Sequence, residues 1–539
     1  MNNGHQTDHT AQARLIASFQ WLLLTVVLLA FGLWNLAGPP MWWDEGWTLS
    51  VARHWVELDH YGRLRDGELA RGGLEASFTV TVPVGLGMKL FGVGLWQGRL
   101  FGVFCAVGVI LLLAALADRL FDRQVAWATV FAALLLTMHP QIHPLLQGRQ
   151  VLAEMPMLLY LLASYLALWW ALRGHWLALL PAMLGLGLAW ISKGQTAPFL
   201  LASLGTTLVA ALLWRQWRIA GMVGLAILGG YGTTRLLGLL SGWLPVDPAL
   251  PLDPVEGLLD VIALVTGSRN RFYALQQLLS FGIPTLLALG WGLWNVWHRR
   301  NLALSSDDDV QPDHRGEARP ATLTRCNQAN WYIQLALLAF IGSWLGWFLL
   351  FSVGVPRYMA PPIVVGSIFV GALLGDLTGG FALSASLKRL TDLLTLRQIN
   401  RLGMGALLAL LIVTTGLSLT SLAFVRYYGE EDQAAFRVAA LLNAEPPGTR
   451  IETYESELHF LLNQPYTFPP DQLHVELNRR SLLGEEVVID YDPLKNDPDY
   501  LVVGRFAREN RLYEPVIERG AFRLILEDSR YEVFERIRP

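Results

Sequence analysis

Long apolar runs recur along most of this chain, and they limit its fold more than any other feature. A helix needs about 20 apolar residues to cross the hydrocarbon core of a bilayer. By that measure we predict spans near 15–37, 97–117, 124–144, 156–172, 176–191, 196–213, 219–240, 273–297, 331–353, 358–378 and 403–425. The sequence therefore predicts a polytopic α-helical membrane protein with about 11 transmembrane helices.

The composition agrees with a membrane protein and excludes several other classes. Of the 539 residues, 53% are hydrophobic and only 16% are charged, and the mean hydropathy is +0.38. A net charge of −3 without a basic stripe excludes nucleic-acid binding. The two cysteines, Cys105 and Cys326, have no zinc or redox spacing and indicate no disulfide framework. No small-residue cleavage site follows the first run, which we interpret as a retained anchor.

The distribution of Lys and Arg predicts the orientation, because these residues collect in short cytoplasmic loops. With a cytoplasmic N-terminus, the inner loops carry Arg119, Arg123, Arg173, Arg215, Arg218, Arg299, Arg300, Lys388, Arg389, Arg397 and Arg401. The outer loops are nearly free of basic residues, with the exceptions Arg149, Lys193, Arg269, Arg271 and Arg357. The general retention of basic loops in the cytoplasm does not explain these exceptions, so they are candidates for function. The whole pattern predicts a multi-pass protein of the cell (plasma) membrane.

The chain divides into a transmembrane part, 1–425, and a soluble part, 426–539. In the first outer loop, 38–96, the apolar second half is broken by Pro83 and is expected to lie along the membrane interface. The inner loop 301–328 contains an acidic run that is expected to be solvated. After residue 426, "AAFRVAALLNAE" has helical spacing, "YLVVG" indicates a buried strand, and "AFRLILEDSRYEVFERI" alternates around a turn as a hairpin does. We expect a small α/β domain there, and an odd number of spans places it outside the cytoplasm.

An acidic pair stands where the first apolar run ends. In "GPPMWWDEGWTLS", Asp44 and Glu45 are flanked by Trp42, Trp43 and Trp47. Tryptophan collects at the interface between lipid and water, where the ring stays in the apolar layer and the N–H in the wet one. The two carboxylates are therefore predicted at headgroup level. The plain alternative is a solvated pair that marks a helix end.

Several segments in the same order resemble the GT-C superfamily of membrane glycosyltransferases. They are "WWDEGWTLSVARHW", "LFGVGLWQGRLFGV", "GRQVLAEMPMLLYLLASYLAL", "WISKGQTAPFLL" and "GVPRYMAPPIVV". The closest resemblance is to glycosyltransferase family 39, which includes protein O-mannosyltransferases and aminoarabinose transferases, and it covers roughly residues 15–425. It implies a GT-C fold and transfer of a sugar from a polyprenyl-phosphate donor to a glycan, lipid or protein acceptor. The transfer would occur at the outer face, with inversion at the anomeric carbon.

The resemblance assigns roles to three acidic residues. An acceptor hydroxyl is a weak nucleophile, so a carboxylate must take its proton as the new bond forms, and Asp44 is the candidate base. Glu45 is expected to orient the acceptor or hold a cation. Glu154 stands where related enzymes usually have an aspartate, and is expected to bind the acceptor or a metal. A surface ion pair between Arg149 and Glu154 is the alternative, although such pairs contribute only about 0–1 kcal/mol to stability.

The leaving lipid phosphate gains charge during transfer and needs positive groups aimed at it. Lys193 in "SKGQ" and Arg357 in "VPRYMAPP" match basic positions of the family, and Tyr358 beside Arg357 is expected to donate a further hydrogen bond. Snorkelling of the two basic side chains to the headgroups is the alternative. Arg269 and Arg271 in "GSRNRFY" are further candidate phosphate ligands, with Arg149 beside Glu154 as another substrate-binding candidate.

Other residues receive supporting or open assignments. Arg99 matches a basic family position and is expected to support the first loop. His139 and His143 have a spacing that puts two imidazoles on one helical face, but prolines interrupt the segment and a third ligand is lacking. No cofactor is certain, and the resemblance leaves open a divalent cation such as Mg²⁺ or Mn²⁺.

Two other functions compete with the enzyme. A transporter or flippase of lipid-linked sugars would also need many helices and outer basic residues, but its ionisable residues usually lie within the spans near the midplane. Here they crowd the outer edge. A receptor-like scaffold would place the function in the soluble part, where the sequence has no recognisable nucleophile, metal cluster or phosphate loop.

Overall fold

The computed structural model describes residues 4–538 except for 137–138, 247–248, 251–255, 258–262, 266, 301–320, 396–398 and 428–432. The acidic run of the loop 301–328 lies outside the described residues. The described part is mostly helical up to residue 427 and mixes short helices with strands after it.

Helices make up most of the described residues of the expected membrane part. They are α1 (Gly4–Leu33), α2 (Trp43–Leu58), α3 (Phe78–Phe91), α4 (Leu95–Leu120), α5 (Arg123–Leu135), α6 (Pro144–Gly148), α7 (Glu154–Leu172), α8 (Leu179–Ser192), α9 (Ala197–Leu213), α10 (Trp217–Leu240), α11 (Ser268–Phe281), α12 (Ile283–His298), α13 (Ala321–Phe351), α14 (Ala360–Thr378), α15 (Leu383–Thr395) and α16 (Ile399–Tyr427).

Within the described residues, six segments are long and apolar enough to cross a membrane: Leu95–Leu120, Glu154–Leu172, Gly194–Leu213, Trp217–Trp243, Arg325–Phe351 and Pro356–Thr378. The bent pair α11 and α12 would be a seventh. A multi-pass membrane protein is therefore confirmed. Four other predicted spans coincide with shorter apolar helices, Ser18–Leu33, Arg123–Leu135, Trp176–Ser192 and Gly405–Thr420. The number eleven stays a prediction.

The sequence predicts one span in each of the segments 124–144 and 273–297, and the structure breaks the helix in both of them. The segment 273–297 divides into α11 and α12, which meet at Gly282 with a bend of 81°. Pro284 stands in the first turn of α12, where a missing N–H is harmless, but it cannot continue a preceding helix. In 124–144, α5 ends at Leu135, and a new short helix, α6, begins at Pro144.

The first loop contains α2, a small hairpin and α3. The hairpin joins β1 (Arg63–Arg65) to β2 (Glu68–Ala70). Helix α3 contains Pro83 and has 14 residues, fewer than a bilayer-spanning helix needs. Its expected position along the interface stays a prediction.

The segment after residue 433 contains a five-stranded mixed sheet of order β4-β3-β5-β7-β6. Its strands are β3 (Ile451–Thr453), β4 (Tyr466–Thr467), β5 (Tyr500–Val503), β6 (Phe522–Glu527) and β7 (Glu532–Arg536). The helices are α17 (Ala434–Asn443), α18 (Ser456–Leu461), α19 (Asp471–Asn478), α20 (Arg505–Glu509) and α21 (Glu514–Glu518). Strand β3 pairs in parallel with β4 and β5, and β6 with β7 forms an antiparallel hairpin. The predicted helix, strand and hairpin are confirmed; a separate domain outside the cytoplasm stays a prediction.

Helix α2 packs against both parts of the chain. Trp43 and Trp47 lie in the apolar core of the C-terminal segment, whereas Leu49 and Ala52 pack with residues of α3 and α4. Gly46 lies so close to α18 that an added Cβ atom would overlap the backbone of that helix. The acidic pair is therefore held between the membrane helices and the C-terminal sheet.

Candidate active site

Four charged side chains from four separate segments meet in one cluster: Asp44, Glu154, Lys193 and Arg357. Arg357 lies between the two carboxylates. Its Nη1 donates to Oδ2 of Asp44, and its Nε is 3.3 Å from Oε1 of Glu154. The Nζ of Lys193 donates to the same Glu154 oxygen at 2.6 Å. The chain folds these residues together across more than three hundred positions of sequence.

Helix ends explain why these residues share one side of the bundle. Asp44 is in the first turn of α2, Glu154 begins α7, and Lys193 directly follows α8. Arg357 is in the single 3-10 turn, Pro356–Met359, that precedes α14. A carboxylate in the first turn of a helix also interacts favourably with the helix dipole. The cluster therefore lies at the mouth of the bundle, where the apolar helices begin or end.

Asp44 is the most exposed member of the cluster. Its side chain is 36% exposed, against 2% for Glu154. Oδ2 also accepts a hydrogen bond of 3.2 Å from Nε1 of Trp42. Burial opposes ionisation of this carboxyl, but the Arg357 guanidinium outweighs burial and holds the pKa of Asp44 below its ordinary value. Asp44 is therefore ionised at neutral pH and accessible to a partner.

The two cations share an aromatic neighbour. The Tyr358 ring centroid is 5.4 Å from Nζ of Lys193 and 5.6 Å from Cζ of Arg357. Both basic side chains are about 15% exposed, so neither extends away to the headgroups as a snorkelling side chain does. Nε of Arg357 faces Oε1 of the buried Glu154 at 3.3 Å as an ion pair, without the angle of a hydrogen bond.

Glu45 occupies a different place from the one expected. Its side chain is fully buried and accepts a bidentate pair from Arg99, at 2.9 and 2.8 Å. The backbone N–H groups of Trp42 and Val151 also donate to it, at 2.9 and 3.0 Å. Because both oxygens are occupied, the expected contact with an acceptor or cation does not fit this geometry. Glu45 instead fixes the first turn of α2.

Arg99 and Arg149 both hold the segment that precedes α2. Arg99 donates to the carbonyls of Leu36, Pro39 and Pro40, which confirms that it supports the first loop. Arg149 is 7% exposed and donates to the carbonyl oxygens of Trp34 and Asn35. A substrate-binding role for Arg149 does not follow from this position.

The alternative of a surface ion pair for Glu154 is wrong. Glu154 is buried, and its partners are Lys193 and Arg357. The Glu154 carboxylate therefore aligns two basic side chains. An ion pair at the water interface would not do this.

Arg269 and Arg271 stand apart from the cluster. Both are exposed in the first turn of α11, and in the described part of the chain neither has an ion-pair partner. The neighbouring Asn270 donates to the carbonyl of Leu482 at 3.0 Å. The structure thus directs this turn towards the C-terminal segment and does not bring its arginines together with Asp44.

The two histidines do not form a metal site. His143 caps α6 by accepting from the backbone N–H of Leu146, and its Nε2 contacts the carbonyl of Leu134 at 3.0 Å. His139 packs against Phe281. Within the described ranges, no group of three or more His, Cys, Asp or Glu residues is arranged to hold a metal ion.

The charge cluster itself does not fit the divalent cation that the resemblance left open. Mg²⁺ and similar cations need free carboxylate oxygens. Arg357 bridges Asp44 and Glu154, and Lys193 occupies Glu154 further. A cation would have to displace these basic side chains from the two carboxylates.

The C-terminal segment contributes side chains that the sequence did not indicate. The imidazole of His474 stacks on Trp43 at 4.9 Å and shares a 2.6 Å hydrogen bond with Tyr454. Burial lowers the pKa of His474 despite the nearby Asp44 and Asp471 carboxylates, so the ring is neutral. Trp43 donates from Nε1 to the Tyr454 carbonyl at 2.9 Å. The stretch "DQLHVELN" carries no motif, and only the fold reveals that it reaches Asp44.

The fold combines a multi-helix bundle, a charge cluster at one mouth of that bundle, and a C-terminal sheet beside the cluster. The structure is similar to ArnT from Cupriavidus metallidurans bound to undecaprenyl phosphate, at 15% identity and a TM-score of 0.61, covering 96% of this chain and 98% of that one. The apo state of the same protein matches at 16% identity and a TM-score of 0.57, covering 97% and 98%. At such identities the likeness shows the fold.

A family model described as dolichyl-phosphate-mannose-protein mannosyltransferase matches residues 81–229, just over a quarter of the chain. No curated protein matches the sequence. The resemblance to the GT-C superfamily, and within it to glycosyltransferase family 39, is thereby confirmed.

Proposed function

We propose that this protein is an inverting glycosyltransferase that moves a sugar from a polyprenyl-phosphate donor to an acceptor hydroxyl at the outer face of the membrane. The observation that carries the proposal is the placement of Arg357. It contacts the partly exposed carboxylate of Asp44 and lies with Lys193 against the buried carboxylate of Glu154. A base and a phosphate ligand side by side are the two groups that such a transfer requires.

In this mechanism Asp44 is the general base. Its low pKa keeps it ionised, and its exposure lets an acceptor hydroxyl approach. As the hydroxyl oxygen bonds to the anomeric carbon, its proton moves to the carboxylate, and the bond from that carbon to the lipid phosphate breaks. Attack from the face opposite the leaving phosphate gives inversion. Glu154 is buried and bound by two cations, so it is not available as a second nucleophile.

Arg357 and Lys193 bind the lipid phosphate. Charge accumulates on that phosphate as the sugar leaves, and aligned cations stabilise it most at that stage. Without a donor, Arg357 is paired with Asp44 and weakens it as a base. When the phosphate draws the guanidinium towards itself, the Asp44 carboxylate becomes more basic. Donor binding therefore makes Asp44 a stronger base. Without the donor, the paired Asp44 carboxylate takes up a proton less readily.

Glu45 and Arg99 act as positioning residues in this scheme. Their fully buried ion pair fixes the first turn of α2 and the carbonyls of the segment before it. Glu154 orients Lys193 and Arg357 in the same way from the other side. The acceptor in this proposal is a hydroxyl of a glycan, a lipid or a protein.

The location of the charges also supports an enzyme over a transporter or flippase. Glu154 begins a candidate span, Lys193 immediately follows α8, and Arg357 stands before α14. A transport site would place ionisable side chains near the midplane.

The test is transfer by the purified protein from synthetic undecaprenyl-phosphate sugars to a set of acceptors, with products identified by mass spectrometry. Asp44→Asn keeps the shape of the side chain but cannot take the proton, and should lower turnover by about 10²- to 10⁴-fold. Donor binding, measured separately with the lipid phosphate, should persist. A variant that keeps more than about a tenth of the wild-type turnover would exclude Asp44 as the base.

A further inference from the structure

Four arginines lie together at the other end of the bundle. Arg119 ends α4 and Arg173 follows α7, and both guanidinium groups lie over the same two indoles. Cζ of Arg119 is 5.7 and 5.5 Å from the ring centroids of Trp169 and Trp170, and Cζ of Arg173 is 4.6 and 5.6 Å from them. Cation–π contacts of this kind hold both guanidiniums in place without neutralising them.

Two more arginines reach the same place from other helices. Arg218 is in the first turn of α10, and Arg325 is near the start of α13. A Cβ atom on Gly174 would lie 3.4 Å from Nη2 of Arg218 and 3.9 Å from Nη1 of Arg325. Gly174 has φ +115°, a conformation that favours glycine. Four helices thus direct an arginine to one turn of the chain.

The arginine cluster is remote from Asp44. Helix α7 begins at Glu154, within the candidate active site, and its 19 residues rise about 28 Å before Arg173. Helix α4 likewise runs from the neighbourhood of Arg99 to Arg119. The two clusters therefore face opposite sides of the membrane.

The surroundings of the arginine cluster indicate a ligand that is both anionic and lipidic. Within the described residues, Arg119, Arg173 and Arg218 have no carboxylate at ion-pair distance. Directly beyond Gly174, Trp176 and Leu177 are 68% and 58% exposed, as interfacial side chains in contact with acyl chains are. Guanidinium groups match phosphate oxygens in geometry as well as charge.

We propose that Arg119, Arg173, Arg218 and Arg325 form a binding site for the phosphate head group of an anionic phospholipid, on the face of the membrane opposite the candidate active site. Basic pockets between transmembrane helices bind such head groups. The general preference of Lys and Arg for cytoplasmic loops does not require four arginines to meet at one place. Arg300 on the same side, for example, lies over a single indole, that of Trp297, at 4.5 Å.

The experiment uses the full chain purified in detergent and titrated with cardiolipin or phosphatidylcholine, with bound lipid counted by native mass spectrometry. The double variant Arg173→Gln with Arg218→Gln is compared with a matched control, Arg299→Gln with Arg300→Gln. An arginine near an anionic lipid surface contributes about a five-fold change in affinity. The double variant should therefore bind cardiolipin about 25-fold more weakly, and the control should change less than about two-fold.

Three outcomes decide the matter. Preferential binding of cardiolipin by the wild type, lost in the double variant only, supports the site. Equal retention of cardiolipin and phosphatidylcholine, or equal losses in the two double variants, overturns it. Displacement of the lipid by millimolar inorganic phosphate would also overturn it, because a free-anion site would then explain the arginines. If the double variant does not fold, Arg218→Gln alone, at an exposed position, should still weaken binding about five-fold.

Discussion

Replacement of Arg357 by glutamine tests the proposed mechanism most directly, because this side chain contacts both carboxylates of the cluster. Its guanidinium binds Asp44 and lies 3.3 Å from Glu154. A hydrogen bond to a charged group typically contributes about 1.5–3 kcal/mol. Losing one such bond to the donor phosphate would raise the donor KM, or lower kcat/KM, by about 10- to 150-fold. Glu154 keeps Lys193 at 2.6 Å, so the site should not collapse.

The same variant should change the pH dependence, and the direction follows from the causes of the Asp44 shift. In the wild type, Arg357 holds the pKa of Asp44 below its ordinary value of 3.8. Protonation of the base should therefore reduce activity only below about pH 4. In Arg357→Gln the burial that opposes ionisation is no longer outweighed, and the pKa of Asp44 rises. The acid limb of the pH profile, which is the fall of kcat/KM at low pH, should therefore move to higher pH in this variant.

The assay is kinetics with a synthetic polyprenyl-phosphate sugar across the acid range. Arg357→Lys restores a positive charge and should return the acid limb towards the wild type, but a point charge recovers only part of the donor affinity. Arg269→Gln and Arg271→Gln are matched controls, since both arginines are exposed and separate from the cluster. If Arg357→Gln changes neither the donor dependence nor the acid limb while these controls do, the phosphate is held at α11 and the mechanism is refuted.

Two further predictions concern the contacts of α2, and a third concerns the orientation of the chain. Arg99→Met leaves the buried Glu45 carboxylate without its cation and should lower the free energy of unfolding by about 3–5 kcal/mol, measured by chemical denaturation in detergent; an unchanged midpoint would contradict the pairing. Gly46→Ala should lower the free energy of unfolding by about 1–3 kcal/mol, because the added Cβ atom overlaps α18. Gly205→Ala should not lower it, because a Cβ atom there meets no neighbouring atom within 4 Å outside its own turn of helix. The segment from residue 426 should be cleaved by protease added outside intact spheroplasts; cleavage only after permeabilisation would reverse the orientation.

The helical and β elements could be predicted because they are local. Apolar length marks the long helices, and alternation marks the hairpin of β6 and β7. The 81° bend at Gly282 could not be predicted by counting apolar residues, since hydropathy alone does not distinguish one straight span from two short helices. The same limit applies to 124–144, where apolar length predicts one span although α5 ends at Leu135 and Pro144 begins a new helix.

The candidate site was predicted in part, and its limits have a physical cause. Isolated basic residues on outer loops identified Lys193 and Arg357, because an unexplained charge near a membrane needs a partner or a ligand. The same criterion also selected Arg149, Arg269 and Arg271, which the structure puts elsewhere. A charge that supports the backbone has the same sequence signal as one that binds a ligand. Only the geometry separates Arg149, bound to carbonyl oxygens, from Arg357, bound to carboxylates.

The contacts of α2 imply that the C-terminal segment is part of the proposed catalytic unit and not an appended module. Trp43, adjacent to Asp44, donates to the Tyr454 carbonyl, and Arg53 further along α2 donates to the carbonyls of Phe460 and Leu462. These partners lie about 410 positions away in sequence. On the other face, the buried Glu45–Arg99 pair ties the same helix to α4. Any movement of the C-terminal sheet must therefore move the first turn of α2 or break these bonds, so the position of the proposed base depends on both halves of the chain.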